Sequence, residues 1–171
     1  MSPLATWALS VMTALQPEAR WKNTYPATAE AFATVASESP LFEGDHKIAR
    51  TIALFLSISY YESRFRNDAR GGGGRWLCLM QVAREHLPKG GAQKVLHDPE
   101  ACVRAALPML KHSFKRCASR PEEERLGLYV SSSCDKGTAS SRGRMNLASY
   151  LIRRYRANLP DESAPTVEHS L

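Results

Sequence analysis

Ile48, Ile52, Phe55 and Ser59 recur at helical spacing, and the next step along the same stripe lands on Glu62. One acid therefore shares a face with residues that a core would claim. Shelter from water and the negative end of the helix dipole both disfavour its ionised form and are expected to raise its pKa. A carboxylic acid kept protonated near neutral pH is what a general acid needs to give a proton to a leaving oxygen. The competing reading ends the helix one residue early, with Glu62 turned to solvent or paired with Arg64 or Arg66. A Gly- and Arg-rich loop over residues 66–76 follows, and a second apolar stretch closes on Leu79-Met80-Gln81. Gly71 to Gly74 let the backbone bend close to a ligand. They do not form a phosphate loop, because no Gly-Lys-Ser/Thr follows.

The elements around this acid read as mainly helical. The chain has 171 residues and is 43% hydrophobic, enough for one core, and a single domain over residues 1–158 is expected. Residues 1–17 carry no charge and read as an amphipathic first helix in place of a secretory signal, which would open on Lys or Arg. Residues 27–37 and 45–63 read as helices, and a short β-hairpin is expected around residues 65–82. Asp98-Pro99-Glu100 marks a helix start, with Asp98 as cap and Pro99 in the first turn; that helix should run to Cys117, with a kink at Pro108. Pro121 and the acids after it read as the start of another helix through "EEERLGLYV". Residues 142–157 form a last, basic amphipathic helix, and residues 159–171 read as a disordered polar tail. No stretch is long and apolar enough to span a bilayer.

The four cysteines, Cys78, Cys102, Cys117 and Cys134, include no Cys-x-x-Cys pair, which argues against a zinc ribbon. Cys102 and Cys117 would stand roughly 22 Å apart on one continuous helix, beyond the reach of a disulfide. That leaves Cys78–Cys102 with Cys117–Cys134, which closes the shorter loops and is favoured, or Cys78–Cys117 with Cys102–Cys134; four free thiols are the rival. Each bridge would add about 3 kcal/mol by restricting the unfolded chain. His46, His86, His97, His112 and His169 show no ligand spacing, so no metal or cofactor is expected.

"YESRF", the glycine-rich loop and "LMQV" together resemble the lytic transglycosylase and goose-type lysozyme family. Glu62-Ser63 matches the Glu-Ser pair that ends that family's central helix. Leu79-Met80-Gln81 matches its Gly-Leu-Met-Gln segment, with Cys78 where the glycine is usual. "DPEACVRAALPML" resembles the next helix, and "LGLYVSSSCDKG" the Tyr-Asn-x-Gly segment, with Tyr129 in place, Val130 where Asn is usual and Gly137 displaced. The similarity covers residues 45–137, and the four cysteines look like a disulfide-bearing branch.

The resemblance implies a lysozyme-like fold, mainly α, with a small hairpin lining a saccharide cleft. It implies cleavage of peptidoglycan glycan strands between N-acetylmuramic acid and N-acetylglucosamine, with Glu62 as the catalytic residue. Ser63, Met80, Gln81, Tyr129 and, more weakly, Tyr150 would line the cleft; Tyr129 would hydrogen-bond Glu62. Between Glu62 and Glu85 the sole acid is Asp68, which favours transglycosylation over hydrolysis. Asp68 as a water-positioning residue, or merely paired with Arg66 or Arg70, is the alternative.

Net charge is +6 and the sequence pI is about 9.3, which suits an anionic wall polymer. Arg142, Arg144, Arg153, Arg154 and Arg156 also suit nucleic-acid phosphates, but the motifs around Glu62 have no purpose in that reading, so no specific nucleic-acid partner is expected. A noncatalytic wall-binding protein is the remaining alternative. A monomer in an extracytoplasmic compartment, without a clear signal peptide, completes the expectation.

Overall fold

The structure, a computed structural model, describes residues 1–160; most of the tail expected to be disordered therefore lies outside the described residues. The chain is mainly helical, with one small antiparallel sheet. Helix α1 (Pro3–Leu15) opens on Ser2, whose Oγ accepts from the Ala5 amide at 3.1 Å, with Pro3 in its first turn. It buries Ala5, Trp7, Ala8, Val11 and Met12 against α2 (Tyr25–Glu38). Trp7 donates its indole N–H to the Tyr155 carbonyl at 3.3 Å, which ties the two ends of the fold together.

Helix α3 (Lys47–Ser63) runs through the centre, and every residue from Thr51 to Ser59 is buried. A helix apolar all round can survive only if covered on every side, and α1, α2 and α7 (Thr138–Arg154) pack around it. Two consecutive left-handed residues stop it: Arg64 at φ 54° and Phe65 at φ 65°. Left-handed backbone without glycine costs roughly 1–2 kcal/mol per residue. Full burial of Phe65 between Tyr25 and Tyr60, with ring centroids 5.8 and 5.9 Å away, offsets much of that. The abrupt stop places Glu62 in the last turn.

The sheet has the order β1 (Arg70–Gly71), β2 (Trp76–Leu77), β3 (Val82–Ala83), with Gly71 opposite Trp76 and Leu77 opposite Val82. Gly72, Gly73 and Gly74 all take positive φ, at 53°, 67° and 90°. Three such residues in a row require glycine, so the run is a shaped corner between β1 and β2.

Helix α4 (Gly91–His97) leads into α5 (Pro99–Arg116). Asp98 caps α5 as expected, its Oδ1 accepting from the Glu100 and Ala101 amides at 2.9 and 3.1 Å. Asp98→Ala is expected to lower stability by about 1 kcal/mol, read as a fall in denaturant midpoint at constant slope. Pro108 sits inside α5 without ending it. Both bridges form in the pairing with the shorter loops, Cys78–Cys102 and Cys117–Cys134.

One helix is shorter than its sequence implied. The stretch after Pro121 forms a 3-10 turn at Glu122–Glu124 and a five-residue helix, α6 (Gly127–Ser131). Ser141 Oγ donates to the Glu123 carbonyl at 2.8 Å and accepts from the Leu126 amide at 3.0 Å, while Ser113 Oγ donates to the Arg125 carbonyl at 2.7 Å. These hydroxyls capture backbone groups that a continuous helix would need. The last helix, expected over 142–157, starts earlier and ends at Arg154. No helix of the described residues is long and apolar enough to cross a membrane.

Candidate functional site

Glu62 reaches a cavity of about 150 Å³ whose other walls are Trp76, Gln81, Tyr129 and Val130. Four elements supply these residues: α3, β2, the β2–β3 turn and α6. The Glu62 side chain is 22% exposed, sheltered yet open to a ligand. It is the sole acid among those walls.

Its partner is neither Arg64 nor Arg66. Arg64 lies over the Tyr60 ring at 4.0 Å, and Arg66 pairs with Asp68. Arg144, from α7, donates through Nη2 to Glu62 Oε1 at 2.6 Å.

The β2–β3 turn brings Gln81 to the cavity. Cys78 and Gln81 both take left-handed backbone, at φ 63° and 50°. Cys78 therefore adopts the conformation that a glycine would favour at the position where the resembled motif has one. Gln81 donates Nε2 to the Cys78 carbonyl at 2.9 Å. A Cβ on Gly71 would overlap Gln81 Oε1, closer than van der Waals contact allows, so the bare glycine makes room for that amide.

Tyr129 lines the cavity but does not hydrogen-bond Glu62, contrary to expectation. Its hydroxyl donates to the Met80 carbonyl at 2.5 Å, a group that the tight turn leaves without a ladder partner. Burial, reinforced by the nearby Glu62 charge and opposed by Arg144, pushes its phenol far above the ordinary value. Tyr129→Phe would leave the Met80 carbonyl unpaired, and a loss of about 1–3 kcal/mol is expected in thermal or chaotrope unfolding.

The other expected residues lie elsewhere. Met80 is fully buried and accepts a hydrogen bond on sulfur from Ser59 Oγ at 3.1 Å. The Ser63 hydroxyl lies 3.0 Å from the Leu79 carbonyl and 3.2 Å from the Ser59 carbonyl, pinning the hairpin to the end of α3. Neither side chain is a cavity wall; each holds one in place. Asp68 is 62% exposed and paired with Arg66 at 2.7 Å, away from Glu62's cavity. The Arg66 hydrogen bond holds its carboxyl below the ordinary value. Tyr150 is 48% exposed on α7 and is likewise not a wall.

Sequence reasoning missed Trp76 and Arg144 as site residues and took Val130 only as a departure from a motif. For Arg144 a signal existed. It falls on the stripe Ser141, Met145, Ala148, Leu151 that α7 turns to the core, and an arginine there needs a buried acid to face. Tyr129 also borders a larger, more open cavity of about 520 Å³, with His86, His112, Met109 and Leu128 among its walls. Among the described residues, no group of three or more His, Cys, Asp or Glu is placed to hold a metal ion. Comparison with family models, curated proteins and solved structures finds no match for this chain.

Proposed function

We propose that this chain cleaves the glycan strand of peptidoglycan by the lytic transglycosylase route, on a lysozyme-like scaffold, with Glu62 as both acid and base. The observation that carries this reading is a lone, sheltered carboxyl in the last turn of a buried helix, facing a cavity between that helix and a small hairpin. The reading also rests on the resemblance of Glu62-Ser63 and Leu79-Met80-Gln81 to that family's motifs.

Glu62 gives its proton to the glycosidic oxygen as the bond to the muramyl anomeric carbon breaks. The substrate's acetamido group supports the positive charge at that carbon. The Glu62 carboxylate then takes the proton from the muramyl C6 hydroxyl, whose oxygen closes on the anomeric carbon as a 1,6-anhydro ring. Proton count balances, the residue returns to its starting form, and no water is consumed. Hydrolysis by the common pattern calls for a second carboxylate, and Asp68, its sole candidate in the loop, is tied to Arg66. Two disulfides suit an oxidising, extracytoplasmic setting.

Digestion in ¹⁸O-labelled water separates the routes. Transglycosylation is expected to leave unlabelled anhydro-muramyl ends, whereas ¹⁸O-bearing reducing ends would assign a muramidase. One observation favours a second reading. The Arg144 guanidinium already occupies Glu62 Oε1 at 2.6 Å, which suits a glycan-binding protein without chemistry. A binder would sediment with peptidoglycan and release no fragments.

A further inference from the structure

We propose that Arg144 is a positioning residue for the Glu62 carboxyl, and that its guanidinium is set in advance beside the charge that forms when Glu62 gives up its proton. This rests on Glu62 being the acid and base.

The guanidinium is anchored on three sides before any ligand arrives. Nη1 donates to the Ser140 carbonyl at 3.0 Å, Cζ stands 5.0 Å from the centre of the Tyr61 ring, and Nη2 holds Glu62 Oε1 at 2.6 Å. The backbone is fixed as well, since Ser57 Oγ, on α3, donates to the Arg144 carbonyl at 2.7 Å. The Arg144 side chain is 13% exposed and is not a wall of the Glu62 cavity, so it acts through Glu62. By holding Oε1 it leaves Oε2 as the oxygen that accepts no hydrogen bond from the described residues, and Oε2 is then the one available to a ligand.

A second observation sets this pair apart from an ordinary ion pair. Arg144 Nε is buried and has no hydrogen-bond partner. Buried N–H groups are nearly always paired, and a purely structural arginine would have its donors satisfied. The geometry instead commits Nη2 to Glu62 and leaves Nε unpaired. A cation so fixed, in a partly desolvated place, stabilises an anion that develops beside it without having to reorganise. Proton transfer from Glu62 to the leaving oxygen creates that anion.

The test measures kcat and KM on purified glycan strands for wild type, Arg144→Gln, Arg144→Lys and Arg144→Ala, the last with and without added guanidinium. Arg144→Gln is expected to lower kcat about 10- to 100-fold with KM within about twofold. Arg144→Lys should keep part of the rate, and guanidinium should restore part of it to Arg144→Ala. Folding is monitored by the melting temperature of each variant. An unchanged kcat in Arg144→Gln overturns the proposal, as does a lost rate that neither Lys nor guanidinium recovers in a protein that still melts cooperatively. Wild type that releases no fragments fails the reading of Glu62 instead, which is a separate outcome from an active wild type indifferent to Arg144.

Discussion

Glu62→Gln should lower the rate of fragment release from peptidoglycan by at least about a thousandfold, since a positioned acid–base group contributes roughly 10²–10⁴-fold and the proposed route asks one group to serve both steps. The substitution keeps the shape of the side chain and an oxygen to accept from Arg144, so packing at the end of α3 is preserved. The charge lost belongs to a pair that is partly open to solvent, and its removal should shift Tm by no more than about 4 °C. Rate and Tm measured on the same preparation distinguish a chemical role from a structural one. A large fall in Tm would place Glu62 among the residues that hold the fold.

The second large effect concerns the turn that carries Gln81. Breaking Cys78–Cys102, which closes a loop across a sequence separation of 24, should cost about 3 kcal/mol and lower Tm by about 6–12 °C. The replacement at position 78 matters because the backbone there has φ 63°. Cys78→Gly with Cys102→Ala is expected to be more stable than Cys78→Ala with Cys102→Ala by about 1 kcal/mol, because glycine accepts the left-handed conformation. Equal melting of the two double variants would contradict this account of the turn. Both should also lose cleavage rate, since this turn supplies the Met80 carbonyl that Tyr129 holds and the Gln81 amide at the cavity.

The helices could be read from the sequence where burial is complete or a cap is explicit. The apolar run of α3 and the Asp98-Pro99 start of α5 are local signals, and both elements stand close to where those signals put them. The end of α3 falls at Ser63, where the sequence put it, but the left-handed backbone that makes the stop was not legible. Neither Arg64 nor Phe65 is a residue that announces left-handed backbone, and the conformation is held by the tertiary burial of Phe65. The stretch 121–131 shows the converse, a helical pattern overruled by hydroxyls from α5 and α7. At the site, Gln81 and Tyr129 were found through motifs, and Glu62 through a helical stripe together with a motif. Arg144 stands 82 positions from its partner, and no local pattern links the two. Trp76 becomes a wall because β2 alternates, with Leu77 turned into the core and Trp76 left half-buried beside the cavity.

The most direct measurement digests purified peptidoglycan with wild type and with Glu62→Gln, and identifies the new sugar ends by mass spectrometry. The account predicts 1,6-anhydro-muramyl ends from wild type and none above background from Glu62→Gln. The same ends from both proteins, or no new ends from wild type, would contradict it.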